Sequence, residues 1–138
     1  MRTRKMEQGF TLVEIMIVVA IIALLAAIAI PNLLRAKMTA NDSLAKATLR
    51  AMSTAAESYG TGNNGNYPLL ESSLTGATPP YLNKAYCAVS QANSSGLAGY
   101  VYNCNMSSTG YVITATPIAL GSSGSTVETI TTGGVLTP

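Results

Sequence analysis

The stretch of sequence that decides the fold is GFTLVEIMIVVAIIALLAAIAIP, residues 9–31. From Phe10 to Ile30, 19 of 21 positions are apolar, and the exceptions are Thr11 and Glu14. A helix of this length can cross the hydrocarbon core of a bilayer, which is about 30 Å thick. Because the segment is apolar on every face, it must lie in lipid or be surrounded by protein.

Basic residues precede the apolar stretch. Arg2, Arg4 and Lys5 favour a cytoplasmic location for the N-terminus. Three interpretations fit this pattern. The segment is a secretory signal peptide that is cleaved near 27–29 (Ala-Ile-Ala), a permanent single-span anchor, or a helix whose short leader is removed before the apolar run.

Glu14 distinguishes the three interpretations. A carboxylate within an apolar span costs roughly 2.5–3.5 kcal/mol on insertion scales, and neither a discarded signal peptide nor a passive anchor needs one. Cleavage between Gly9 and Phe10 would create a positive α-amino group that could pair with Glu14. The pair could form within one helix, or between neighbours in a staggered stack, where it would set the axial register of the subunits.

The segment Gly9-Phe10-Thr11-Leu12-Val13-Glu14, followed by an apolar run and Pro31, resembles the class III signal of type IV pilins and type II secretion pseudopilins. The resemblance implies cleavage after Gly9 and N-methylation of Phe10 by a prepilin peptidase. It also implies that membrane lipid holds the helix until the inner-membrane assembly machinery moves it into a homopolymer of identical subunits.

Four segments follow from this assignment. They are a cytoplasmic leader (1–9), a transmembrane and filament-core helix (10–31), an amphipathic helix (32–59) and a globular β-rich head (60–138). Pro31 should kink or locally loosen the helix, or else begin a new helix. Beyond it, apolar residues recur every three or four positions and predict a stripe that packs against the head: Leu33, Ala36, Ala40, Leu44, Ala47, Ala51, Ala55 and Tyr59. The glycine-rich residues 60–65 should end the helix.

The head carries few charges and several strand signals. Between Tyr59 and Pro138 the charged residues are Glu71, Lys84 and Glu128. A loop of about 30 residues leads to candidate strands at 99–104, 111–116 and 127–131, and a Gly-Gly turn leads to a short fourth strand at 135–136. The predicted fold class is α+β, with a long N-terminal helix packed against a small antiparallel sheet of three or four strands.

Cys87 and Cys104 are separated by 17 positions. In a segment delivered outside the cytoplasm, two cysteines predict a disulfide, and the alternative is a pair of buried thiols.

Composition excludes several functions. The 138 residues include no His and two Cys, which argues against a metalloenzyme, and no cofactor is expected. The formal charge of +2 is too small for a nucleic-acid site that neutralises many phosphates. Removal of residues 1–9 would leave five basic and five acidic side chains, which is formally neutral. The sequence therefore predicts a structural protein, not an enzyme.

Two functions compete within the family. A type IV pilin would pass from the inner membrane into an extracellular filament, whereas a type II secretion pseudopilin would form a periplasmic pseudopilus. The acidic C-terminal calcium site that the resemblance implies for major pseudopilins has no counterpart, because Glu128 is the only acid after Lys84. This favours a pilin. Outside the family, the alternative is a signal-anchored or secreted binding module.

Overall fold

The computed structural model describes residues 9–87 and 97–138. One long helix, α1 (Leu12–Gly62), accounts for 51 residues and is followed by a short helix, α2 (Ser72–Thr75). The described residues also form four strands: β1 (Tyr100–Ser107), β2 (Gly110–Pro117), β3 (Glu128–Thr131) and β4 (Val135–Thr137). The chain divides into two compact units, Met1–Arg35 and Ala36–Pro138.

Helix α1 runs through Pro31 without interruption. The alternative that Pro31 begins a separate helix is therefore wrong, and a kink at this residue stays a prediction. Proline lacks the N–H that would bond to the preceding turn. In the same turn, the Asn32 side chain donates a hydrogen bond to the Ile28 carbonyl at 3.1 Å.

The glycine-rich segment ends α1 as predicted, although three residues later than Tyr59. Asn64 and Gly65 both adopt positive φ angles, +56° and +85°. The Gly65 N–H bonds to the Gly60 carbonyl at 2.8 Å, which satisfies a carbonyl that the helix leaves without a partner. The two left-handed residues turn the chain away from the helix axis and into the loop that carries α2.

The sheet is an antiparallel meander in the order β1-β2-β3-β4, which confirms the predicted α+β class. Tyr102 on β1 faces Ala115 on β2, and Ile113 on β2 faces Ile130 on β3. Alternate residues of β2 are buried, so one face of the sheet packs into the core. The tight turn between β3 and β4 contains Gly133 and Gly134, both with positive φ angles.

The head packs against only the C-terminal end of the predicted stripe, where Ala55 is buried and Tyr59 is partly buried against the core. Ala36, Ala40, Ala47 and Ala51 are exposed, and Leu44 is 43% exposed. The buried face of α1 is displaced around the helix from most of the stripe and shares Ala55 with it. It is formed by Ala45, Thr48, Leu49, Met52, Ser53, Ala55, Ala56 and Gly60. The reason is the size of the side chains, because Leu49 and Met52 bury more apolar area than alanine does.

We expect the buried face of α1 to control the stability of the head. Leu49 is 0% exposed, so Leu49→Ala should lower the free energy of unfolding by about 2–5 kcal/mol. Leu44→Ala is the matched control, and because Leu44 is partly exposed it should cost about 0.5 kcal/mol. The measurement is guanidinium unfolding of the full chain in micelles, followed by the near-UV circular dichroism of the head tyrosines. Equal losses would show that the head packs on the alanine stripe after all.

Candidate assembly interface and head contacts

The first half of α1 is an exposed apolar surface. The large apolar side chains from Phe10 to Ile30 are between 51% and 84% exposed in the single chain. Within the described residues, α1 is the helix that is long and apolar enough to cross a membrane. Apolar surface of this extent is unfavourable in water, so this segment needs lipid or other protein chains around it.

Thr11 and Glu14 form a capping box at the start of α1. The Thr11 backbone N–H and hydroxyl donate to Glu14 Oε2 at 2.8 and 2.7 Å, and the Glu14 N–H donates back to Thr11 Oγ1 at 3.2 Å. These reciprocal bonds satisfy N–H groups that a helix start leaves free. Sequence reasoning missed this role, although the Thr-x-x-Glu spacing is its usual signal. Glu14 therefore has a partner within its own chain.

The predicted cleavage site lies just before the helix. Gly9 and Phe10 are exposed and precede α1, and among the described residues, apart from those adjoining Gly9, nothing comes within 4 Å of the position that a Gly9 Cβ would occupy. Residues 1–8 of the predicted leader lie outside the described residues. Cleavage between Gly9 and Phe10 stays a prediction.

Asp42 connects α1 by hydrogen bonds to β1 and to the segment between β2 and β3. Its Oδ1 accepts hydrogen bonds from the Tyr100 hydroxyl at 2.6 Å and from the Ser125 N–H at 3.0 Å, and its Oδ2 accepts one from the Ser125 hydroxyl. Burial acts to raise the pKa of Asp42, but the bonds from Ser125 and Tyr100 outweigh it and the pKa is lowered. Burial, reinforced by Asp42, raises the pKa of Tyr100 to about 12, so this hydroxyl stays a donor.

Glu57 forms a second attachment between α1 and the rest of the head. Its Oε1 accepts from the Tyr111 hydroxyl at 2.9 Å and from the Gly133 N–H at 2.7 Å, and its Oε2 accepts from the Tyr67 hydroxyl at 2.7 Å. Burial acts to raise the pKa of Glu57, but these three hydrogen bonds outweigh it, with the Tyr67 bond the largest, and the pKa is lowered. One carboxylate thus connects α1 to the loop, to β2 and to the β3–β4 turn.

The other two head carboxylates are also bound internally. Glu128 is 2% exposed, pairs with Lys46 on α1 at 3.2 Å and accepts a bond from the Thr126 hydroxyl at 2.7 Å. Glu71 is 8% exposed and accepts the backbone N–H groups of Tyr86 and Cys87 at 2.5 and 2.9 Å. No sequence signal identified these partners, because they come from elements that are distant along the chain.

Cys87 and Cys104, the predicted pair, are joined by a disulfide with a Cα–Cα distance of 5.6 Å. The bridge ties the loop after α2 to β1, and Glu71 holds the backbone on the loop side of it. A loop of this length contributes roughly 3 kcal/mol by the chain-entropy argument.

The prokaryotic N-terminal methylation motif matches residues 4–30 of the chain. The type IV major pilin protein PilA of Myxococcus xanthus is 53% identical over 53 residues, which are 38% of this chain and 24% of that protein. The type IV wide pilus major component PilA4 of Thermus thermophilus is 51% identical over 57 residues, or 41% of this chain and 44% of that protein. The chain carries this methylation motif and is similar, over its N-terminal part, to proteins named as type IV pilins and as type II secretion core protein G.

Pseudopilins are among the relatives too. Type II secretion system core protein G of Escherichia coli is 37% identical over 90 residues, which are 62% of this chain and 61% of that protein. The matches therefore cover between a quarter and three-fifths of these relatives. No solved structure matches the chain. Pilins and pseudopilins are structural subunits, and the apolar helix and the motif fit membrane anchoring before assembly.

The carboxylate contacts predict a loss of head stability in acid. Because hydrogen bonding lowers the pKa of folded Glu57 below its ordinary 4.5, its stabilising contribution is complete above about pH 4.5 and disappears as the pH falls through the folded pKa. Glu57→Gln should therefore destabilise the head at pH 7, and this loss should shrink progressively as the pH falls below about 4.5. The measurement is the difference in guanidinium midpoint between wild type and variant across this range. A difference that stays constant with pH would contradict the assignment.

Proposed function

We propose that this chain is the structural subunit of a type IV pilus and polymerises through its N-terminal helix into a helical surface filament. The observation that carries the proposal is the apolar half of α1, whose large side chains are more than half exposed in the single chain. A membrane covers such a helix before assembly, and identical helices would cover it afterwards. Adhesion, twitching motility and DNA uptake are the activities that such a filament would serve.

Processing comes first in the proposed sequence of events. A prepilin peptidase removes residues 1–9 and methylates the new N-terminus at Phe10, while the assembly machinery of the inner membrane extracts the helix from lipid. The exposed position of Gly9 and Phe10 ahead of α1 supports this assignment. In the filament, Pro31 would give the helix local freedom to bend, because it removes one backbone hydrogen bond.

A pseudopilus is the second candidate, and the 90-residue match to core protein G favours it. The environment of Glu128 argues for a pilus. Glu128 is the only acid after Lys84, and its carboxylate is buried and already neutralised by Lys46. This region of the head therefore offers no free carboxylate for a calcium site of the kind implied for major pseudopilins.

Glu14 can serve both the helix cap and the assembly. Its Oε2 takes both bonds from Thr11, whereas its Oε1 makes no hydrogen bond to any described residue. The free oxygen is available to the Phe10 amine of a neighbouring subunit, where a charge-assisted hydrogen bond would fix the axial register.

The mature protein should start at N-methylated Phe10. Intact-mass and N-terminal analysis of protein from the native cell should give residues 10–138 plus one methyl group. A chain that begins at Ile30 would identify a secretory signal peptide, and one that begins at Met1 would identify an uncleaved anchor. Either result would refute filament assembly by the proposed route.

Glu14→Ala should enter the membrane normally but give few filaments, because it removes the proposed partner of the neighbour's amine. Thr11→Val is the matched control, since it breaks the capping box, worth about 1 kcal/mol, and keeps the carboxylate. The readouts are the membrane-bound amount of subunit and electron microscopy of filaments sheared from the cell surface.

Thr11→Val should assemble nearly as well as wild type. If it loses filaments as severely as Glu14→Ala, the role of Glu14 is the cap and not the register. Absence of surface filaments from wild-type cells, with short periplasmic assemblies instead, would favour the pseudopilus.

A further inference from the structure

The head contains a concave site that the assembly proposal does not use. It lies where the end of α1 meets α2 and the β1–β2 turn, and it has a volume of about 330 Å³. Small-molecule sites usually occupy about 300–1,000 Å³. Its polar lining consists of two tyrosines, two asparagines and two serines: Tyr59, Tyr67, Asn63, Asn66, Ser73 and Ser108. None of the lining residues is charged.

The two tyrosine rings are held in place before any ligand arrives. The Tyr59 ring meets Tyr81 edge to face, and the Tyr67 ring meets Tyr111 in the same way, each with centroids 5.6 Å apart. The Tyr67 hydroxyl is also bound to Glu57. Such fixed rings lose little freedom when a ligand stacks on them, which lowers the cost of binding.

The polar groups of the site leave acceptors and donors available. The Asn63 amide nitrogen donates to the Tyr59 carbonyl at 2.9 Å, and the Asn66 amide nitrogen donates to the Asn63 carbonyl at 3.1 Å. These bonds orient both amides and leave their oxygens as acceptors. The hydroxyls of Ser73 and Ser108 make no hydrogen bond to any described residue, so each can donate or accept.

We propose that this site binds a neutral hexopyranose, as a free sugar or as a residue of a surface glycan. One face of a pyranose ring presents C–H groups that pack on an aromatic ring, while its hydroxyls both donate and accept. The uncharged lining matches a neutral ligand and offers no opposite charge to a carboxylate or an ammonium group. The proposal concerns the folded head and is independent of filament assembly.

The test is saturation-transfer NMR on the full-length mature chain, kept unassembled in a zwitterionic detergent without a sugar head group. The probes are the methyl glycosides of glucose and galactose, with sialic acid as the charged comparison. At least one neutral glycoside should bind with a Kd on the order of 1 mM. Binding of sialic acid as tight as that of the best neutral glycoside would overturn the assignment of a neutral ligand.

Variants assign the binding to this site. Tyr59→Leu should weaken it at least about 10-fold, whereas Tyr59→Phe keeps the ring and should stay within about twofold. The double variant Ser73→Ala with Ser108→Ala should weaken it about 3- to 10-fold or more. Ser122→Ala, an exposed serine between β2 and β3, is the matched control and should change nothing.

Circular dichroism verifies that each variant is folded. If Tyr59→Leu does not fold, the double serine variant decides, because both hydroxyls lie outside the core. The proposal is refuted if no neutral glycoside gives a signal at tens of millimolar, or if a folded Tyr59→Leu or the serine variant binds as wild type does.

Discussion

A helix that is apolar on every face cannot bury that surface within the chain that carries it. The residues from Phe10 to Ile30 set this constraint, and no other described part of the protein covers them. This segment must therefore be in contact with lipid or with other protein chains. The head is subject to a second requirement, because it must fold on the remainder of the same helix with few charges and a thin core.

The head meets that requirement with carboxylates placed between elements. Asp42, Glu57 and the pair Lys46–Glu128 each join α1 to the sheet or its connections, while Glu71 holds the chain beside the disulfide. Removal of one partner from such a buried contact leaves an unsatisfied polar group. Each of these few residues should therefore contribute strongly to the stability of the head. Without residues 1–9 the chain is formally neutral, yet its acids are concentrated in internal contacts.

The sequence predicted the helix, the four strands and the cysteine pair because each depends on local pattern: apolar periodicity, alternation, turn glycines and spacing. It did not predict which face of α1 the sheet covers. Apolar residues occur around much of the helix, and the face that is buried is the one whose Leu49 and Met52 share a core with Ile113 and Tyr102, far along the chain. The partners of the buried carboxylates could not be predicted for the same reason. The capping box could have been predicted, since Thr-x-x-Glu is a local signal.

In the proposed assembly, Glu14 would contribute much of the free energy that separates the filament from the membrane-bound subunit. Lipid tails and packed helices are both apolar, so moving the side chains of residues 10–30 from a membrane into a bundle changes their hydrophobic free energy little. Packing and polar contacts between helices must therefore supply the free energy that favours the bundle over the membrane. In the proposed filament, the charged amine of Phe10 and the free oxygen of Glu14 are groups that lipid cannot satisfy and a neighbouring subunit can. Under this proposal, a single carboxylate in an otherwise apolar span would favour the polymer over the membrane and would select one register among many that are equally apolar.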